Sequence, residues 1–296
     1  MRKPTVAILM GGPDSERDVS IRSGNAVALA LSHSTDFEVH PIIIDETTTE
    51  ALESMKADVF FPVLHGPYGE GGPLQECLEA SGIPFVGSTS EPARVAMDKH
   101  LSKTVAKEHG VPTPKWKRIS TPDELTLELP IVLKPVDEGS SVGLAICKTS
   151  DEANIALNSL LCGKPYIAEQ YVEGHEITIS ILDGTPLSTI EIIPPQEIGT
   201  YDFEAKYQRN DTQYVLNPEL PKHNCIQHAL AMYDALGLRD LARIDFIVED
   251  DKEWFLEANT MPGFTDSSLF PMAAADCGIP MTELCEQMTQ IALARG

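Results

Sequence analysis

The segment from Ala242 to Asn259 constrains this chain more than any other. It reads Ala242-Arg243-Ile244-Asp245-Phe246-Ile247-Val248-Glu249, then Asp250-Asp251-Lys252, then Glu253-Trp254-Phe255-Leu256-Glu257-Ala258-Asn259. Two such runs around a short polar turn predict a β-hairpin. A three-residue turn at 250–252 sets Asp245 opposite Glu257 and Arg243 opposite Asn259. Side chains alternate along a strand, so all four share one face. Like charges directly across a ladder are destabilising, and here Ile244, Phe246, Leu256 and Ala258 surround them. A divalent cation would compensate the two carboxylates. Asp, Glu and the Asn carbonyl suit a hard ion such as Mg²⁺, commonly held by one or two carboxylates together with substrate phosphates. The alternative is an exposed acidic face with Arg243 paired to a neighbour.

The first ninety residues alternate apolar runs with helical spacing. Val6–Met10, Val39–Ile44, Val59–Leu64 and Ile83–Val86 read as buried strands, and Val19–Leu31 and Leu74–Ala80 as helices. This alternation predicts a parallel sheet flanked by helices. Gly11-Gly12-Pro13 ends the first strand, where such sheets tend to bind ligands. One helix is expected from about Pro92 to His109, with Gly110 as its stop. Strands at Ile131–Lys134, Leu144–Cys147 and Tyr166–Gln170, with a helix at Asp151–Leu161, form a small α+β unit. Strands Glu176–Leu182 and Leu187–Ile192 follow. Pro194–Tyr214 has no periodicity, and a loop of that length is usually functional or disordered. A helix over Lys222–Leu236, stopped by Gly237, precedes the hairpin. Domains are therefore expected at 1–92, 93–175 and 176–296 of the 296 residues.

Lys+Arg total 22 against 45 Asp+Glu, a formal charge of −23. That argues against broad binding to nucleic acid or an anionic membrane, which requires positive potential. No apolar run reaches the roughly 18 residues needed to cross a bilayer, and Val6–Met10 is too short for a signal peptide. Membrane insertion is not expected. The six cysteines (Cys77, Cys147, Cys162, Cys225, Cys277 and Cys285) form no C-x-x-C pair. Reduced thiols in the cytoplasm are the simplest expectation.

Several groups could reach phosphate. Lys134 ends an apolar strand, and Asp137-Glu138-Gly139-Ser140-Ser141-Val142-Gly143 follows. Such a loop can turn N–H groups and hydroxyls toward phosphate, although it is not the P-loop pattern and an ordinary hairpin turn would look the same. Lys99 lies on an otherwise apolar helix, where surface lysines also occur. Glu169 and Glu176 could bond a nucleoside or face water.

Together these pieces resemble the D-alanine–D-alanine ligase family of the ATP-grasp group. Gly11-Gly12, Glu16-Arg17-Asp18-Val19-Ser20, His65-Gly66, Met97-Asp98-Lys99, Glu138 to Gly143, Glu204-Ala205-Lys206-Tyr207, Arg243-Ile244-Asp245 and Glu257-Ala258-Asn259-Thr260-Met261-Pro262-Gly263 look like its motifs, in its order and at similar spacing. The resemblance implies an ATP-grasp fold of three domains: an N-terminal α/β domain with a parallel sheet, a small central α+β domain and a larger C-terminal α+β domain. It implies ATP as substrate and two Mg²⁺ (or Mn²⁺) ions on Asp245, Glu257 and Asn259. Lys99, Lys134 and Ser141 would contact the nucleotide phosphates. Glu169, Tyr171, Val172 and Glu176 would hold adenine and ribose.

On the amino-acid side, the resemblance places Glu16 on the ammonium of the first D-alanine, with His65 beside it. Ser268 and the backbone at Leu269 would hold the carboxylate of the second. Ser140, Tyr207 and Glu16 would form a hydrogen-bonded group closing the 194–214 loop, with Lys206 reaching the transferred phosphoryl. Arg243 and Gly263 would stabilise the oxyanion. The implied reaction is ATP-dependent formation of D-alanyl-D-alanine through an acyl phosphate, for peptidoglycan precursors, by a homodimer. Tyr207, where ester-forming relatives often carry Phe, favours the peptide product. Gly71 stands where many relatives have Asp, and Ala242 where many have Gly. Two alternatives share the hairpin and the lysines: an ATP-grasp ligase for other amino acids, and a nucleotide-binding regulator without catalysis.

Overall fold

The computed structural model describes residues 2–139, 143–160, 165–195, 211–220 and 223–296. The chain opens with β1 (Thr5–Gly11), α1 (Arg17–Ser32), β2 (Glu38–Ile44), α2 (Thr49–Ser54) and β3 (Val59–Pro62). The strands form a parallel sheet in the order β2-β1-β3. All seven residues of β1 are buried because both faces are covered. Alternate residues serve different cores: Val6, Ile8 and Met10 meet Val27 and Leu31 of α1, while Ala7 and Leu9 meet Leu52, Leu74 and Leu78. The expected fourth strand at Ile83–Val86 shrinks to one bridge between Phe60 and Phe85. Phe60 exchanges two 2.9 Å hydrogen bonds with the Pro84 carbonyl and the Val86 N–H. Pro84 has no N–H to extend the ladder, and the Gly87 N–H turns away to Asp240.

Short α3 (Gly66–Glu70) and α4 (Pro73–Ser81) follow. The single helix expected over Pro92–His109 is instead two, α5 (Ser90–Met97) and α6 (Lys99–Glu108). Asp98, at ψ 103°, breaks the helical path, and its carboxylate accepts the N–H groups of His100 and Leu101 at 2.8 and 2.9 Å. It is the N-cap of α6. This break makes Lys99 the first residue of a new helix.

The central unit contains β4 (Trp116–Ile119), β5 (Ile131–Pro135), β6 (Ala145–Cys147), α7 (Ser150–Leu160) and β7 (Tyr166–Gln170). Its strands pair antiparallel in the order β4-β7-β5-β6. β8 (His175–Leu182), β9 (Thr185–Ile193), β10 (Gln213–Leu216), β11 (Leu241–Glu249) and β12 (Lys252–Asn259) make a second antiparallel sheet, ordered β10-β9-β8-β11-β12. α8 (Cys225–Ala235) covers one face. Ala96, Ala106 and Val111, from α5 and α6 and the turn after them, join that same core with Ile177, Ile179, Phe246 and Phe255. The four-stranded sheet thus draws its strands from residues 116–170 alone.

α9 (Leu269–Asp276) and α10 (Met281–Leu293) end the chain. Leu284 and Met288 return to the core of the N-terminal sheet beside Val6 and Ile8. A polar clasp locks this return. Arg295 grips buried Asp240 with both nitrogens at 2.5 and 2.7 Å, and Asp240 also accepts the Gly87 N–H at 2.7 Å. Among the described residues, no helix is long and apolar enough to cross a membrane.

The hairpin corrects one expectation while keeping its consequence. The turn is the two residues Asp250-Asp251, with Glu249 opposite Lys252. Asp250 adopts φ 52°, which Asp tolerates. That tighter turn alone would set Asp245 opposite Leu256. A bulge next to Asp245 leaves Leu256 as the extra residue, and the pairs become Asp245–Glu257 and Arg243–Asn259.

Candidate functional site

A cleft of about 550 Å³ opens between the two antiparallel sheets. One end is apolar. Val132, Leu144 and Ile146 of the central unit face Ile192, Ile247 and Leu256 of the larger sheet. The bulge is what turns Leu256 into this wall. Two apolar walls with a gap between them suit a planar ring. Tyr171, Val172 and Glu176 line the same end. The Tyr171 N–H is engaged by the Pro130 carbonyl at 3.1 Å, so Tyr171 offers no spare backbone donor there.

The other end is charged, with Lys99, Lys134, Asp245 and Glu257 lining it. Lys99 is buried, not a surface lysine. Its ammonium donates to the Glu138 carbonyl at 2.7 Å and lies 3.5 Å from Glu257 Oε2. Glu169 does not face water either. β7 pairs with β5 so that Glu169 opposes Val132, which puts it on the same face as Lys134. Lys134 Nζ lies 3.1 Å from Glu169 Oε2, and Lys103 Nζ lies 3.0 Å from the same oxygen. These approaches lack hydrogen-bond alignment, so the attraction is mainly Coulombic.

At the hairpin, Asp245 is held on every side. Thr178, its partner across β8 and β11, donates to Oδ1 at 2.6 Å. Arg243 forks onto both oxygens at 3.0 and 2.9 Å, and the Asn259 amide donates to Oδ2 at 3.0 Å. The two carboxylates are therefore compensated by Arg243 and Lys99. Among the described residues, no three His, Cys, Asp or Glu side chains gather as a metal site. The donor set of two carboxylates and one amide oxygen still suits a hard cation.

Beyond Arg243 lies a small polar cavity of about 80 Å³. Glu16, His65, Glu70, Arg243, Asn259, Gly263, Ser268 and Leu269 line it. Glu16 immediately precedes α1. Gly139 comes so close that a Cβ there would lie 2.6 Å from Glu16 Oε2. A Cβ on Gly263 would meet Ser268 Oγ at 2.8 Å, so the backbone around this cavity admits no larger residue without a shift. His65 Nδ1 bonds the Met261 carbonyl at 3.1 Å, which fixes the proton on Nδ1. Its buried Nε2 has no hydrogen-bond partner among the described residues. Burial pulls the His65 imidazole below its ordinary value, and the Glu16 charge opposes this. The ring is neutral, with an acceptor nitrogen to offer.

Two buried ionisable groups beside the cleft and cavity escape the sequence reading. Lys103 is 0% exposed. Burial brings its ammonium down to about 8, against the pull of Glu169 and assisted by Lys134. The only sequence signal is its spacing, four residues after Lys99 on one helix. Glu70 is 8% exposed. Burial pushes its carboxyl up to about 8, and the nearby Glu16 adds to this. It accepts the Gly66 N–H at 3.1 Å. Ser140, Ser141, Lys206 and Tyr207 lie outside the described residues, as does most of the 194–214 loop.

The family profile described as D-ala D-ala ligase C-terminus matches residues 105–290, and that described as D-ala D-ala ligase N-terminus matches residues 46–88. The chain is 40% identical over 286 residues to a D-alanine–D-alanine ligase of Aquifex aeolicus, covering 94% of this chain and 97% of that protein. It is 39% identical over 305 residues to one of Gluconobacter oxydans, covering 98% and 99%. The crystal structure of the Bacillus anthracis D-alanine–D-alanine ligase complexed with ATP superposes with a TM-score of 0.85 at 32% identity, covering 100% of this chain and 98% of that one. The VanG D-Ala:D-Ser ligase of Enterococcus faecalis shares the fold at 22% identity and a TM-score of 0.82. With its ATP-grasp architecture, one parallel and two antiparallel sheets among the described residues, this chain belongs to the D-alanine–D-alanine ligase family.

Proposed function

We propose that the protein joins two D-alanine molecules into D-alanyl-D-alanine at the expense of ATP, through an acyl phosphate. One observation carries this reading. The ring-and-phosphate cleft and the small polar cavity meet at one hydrogen-bonded knot, Arg243–Asp245–Asn259. A carboxylate in the cavity is thereby adjacent to phosphates in the cleft. Phosphoryl transfer asks chiefly for such positioning and for charge neutralisation.

In this reading the base lies between the Val132 and Leu256 walls, with Glu169 and Glu176 on its polar edges. Lys99 and Lys134 meet the phosphates. Asp245, Glu257 and Asn259 would hold Mg²⁺ or Mn²⁺, which would neutralise phosphate charge when bound. Glu16 accepts from the ammonium of the first D-alanine, and His65 Nε2 is the second acceptor beside it. The carboxylate of that molecule attacks the γ-phosphorus, ADP leaves, and the acyl phosphate forms. The amine of the second molecule then attacks the carbonyl and phosphate departs. Arg243 and the Gly263 N–H stabilise the oxyanion. Ser268 and the Leu269 backbone, at the start of α9, hold the second carboxylate. The resemblance would give Lys206, Tyr207 and Ser140, which lie outside the described residues, the task of keeping water from the acyl phosphate.

Incubation with ATP, Mg²⁺ and D-alanine tests this. Phosphate and D-alanyl-D-alanine should appear in equal amounts, and L-alanine should yield neither. Phosphate release indifferent to D-alanine, or a product from other amino acids only, would overturn the assignment.

A further inference from the structure

Behind the cleft, two ammoniums share one carboxylate. Lys134 lines the cleft, whereas Lys103 is walled off from it. Lys103 is also anchored: its Nζ donates to Thr113 Oγ1 at 2.9 Å and to the Phe255 carbonyl at 3.1 Å, and it lies over the Phe255 ring. Thr113 itself donates to the same carbonyl at 2.8 Å. A lysine so fixed cannot swing into the cleft. It can only act on what it touches, and among the described residues its one anionic neighbour at ion-pair distance is Glu169 Oε2.

The charge count explains why a second cation stands there. Lys134 with Glu169 alone is a neutral pair, and a lysine committed to a buried carboxylate presents little charge to a phosphate. Turning Lys134 toward phosphate would also strand Glu169 as an unpaired buried anion, which is strongly unfavourable. Adding Lys103 makes the group net positive and keeps Glu169 compensated whichever way Lys134 turns.

We propose that Lys103 is a positioning residue that holds the charge of Glu169, so that Lys134 is left to meet the nucleotide phosphates. The inference rests on the reading of this cleft as the nucleotide site. Lys103 touches neither ring nor phosphate. Its effect grows with the phosphate charge that Lys134 has to meet.

The test is calorimetric titration of adenosine and ATP, with Mg²⁺ present, into wild type, Lys103→Met, Glu169→Gln and the double variant. The readout is the ratio of ATP to adenosine affinity. Lys103→Met should lower that ratio roughly tenfold or more, the effect of one buried charge. Glu169→Gln should keep or raise it. The double variant restores the net charge and should return the ratio to within about threefold of wild type. A packing role alone would weaken adenosine and ATP together. An unchanged ratio in Lys103→Met, or a double variant as low as the single one, overturns the inference. If Lys103→Met does not fold, the double variant, which keeps the net charge of the group, decides: a ratio near wild type supports the proposal, and a tenfold fall refutes it. Wild-type protein that binds no ATP would instead refute the nucleotide reading, a separate outcome.

Discussion

Glu70→Gln removes a carboxyl that the fold keeps protonated. Glu70 sits between the His65 turn and the Thr260–Met261 segment, accepting backbone N–H groups from Gly66 and Met261, with Glu16 close by. Thr260 closes the same junction by donating to the Glu70 carbonyl at 3.2 Å. The folded carboxyl releases its proton at about 8, against 4.5 for the free group. Between those values the folded state binds more protons than the unfolded chain, so stability falls as pH rises. The contribution is complete below about pH 4 and lost once the pH passes about 8. At about 1.4 kcal/mol per pH unit, the interval corresponds to on the order of 5 kcal/mol. Glutamine keeps the shape and the acceptor oxygen but cannot ionise. Urea unfolding at pH 5, 6, 7 and 8, without ligands, reads the difference. The variant should match or trail wild type at pH 5 and overtake it by several kcal/mol at pH 8. Two stability curves that run parallel across that range would refute the buried, protonated state of Glu70.

Glu257→Gln should collapse turnover while leaving the fold intact, because it removes a charged ligand yet relieves the repulsion across Asp245–Glu257; near-normal turnover at ordinary Mg²⁺ would refute the metal assignment. Tyr207→Phe deletes one hydroxyl and should raise the ratio of ester to peptide when D-lactate competes with D-alanine between about pH 6 and 9, the range over which the amine titrates. An unchanged ratio would remove Tyr207 from substrate choice. Asp240→Asn leaves Arg295 without its carboxylate. A buried pair broken on one side costs about 3–5 kcal/mol, and the partial exposure of Arg295 lowers the expected loss to about 2–4 kcal/mol. A urea-unfolding change under 1 kcal/mol would show that the clasp does not hold the C-terminal return.

The pairing of Asp245 with Glu257 was legible in the sequence, but for an incomplete reason. The alternation of the two runs placed both carboxylates on one face. It could not reveal that a tighter turn and a bulge compensate each other, since both arise from how β12 meets β11 and the cleft. The break at Asp98 was readable in principle: Asp before a helical run is a cap signal, and the surrounding apolar spacing masked it. The short bridge at Phe85 follows from Pro84, which was visible, and from Asp240, which was not. Apolar runs identified β1 and β3 because both faces of those strands are buried; β2, at the sheet edge, has no fully buried residue, so the expectation of a buried strand at Val39–Ile44 fails there. Lys103 and Glu70 stayed hidden because their character comes from burial among residues distant in the chain. No local pattern marks a charge that the fold will enclose. The roles of Glu16, His65 and Ser268 come from motif resemblance alone; the fold brings the three residues to one cavity.

Transfer of labelled oxygen tests the central claim most directly. D-alanine carrying heavy oxygen in its carboxylate is supplied with ordinary ATP, and the phosphate released is weighed by mass spectrometry. If the carboxylate attacks the γ-phosphorus and the acyl phosphate is then cleaved by the second amine, each phosphate carries one heavy oxygen from the amino acid, and the dipeptide carbonyl keeps the other. Unlabelled phosphate alongside newly formed dipeptide would contradict the acyl-phosphate route and the arrangement of cavity, knot and cleft from which it was derived.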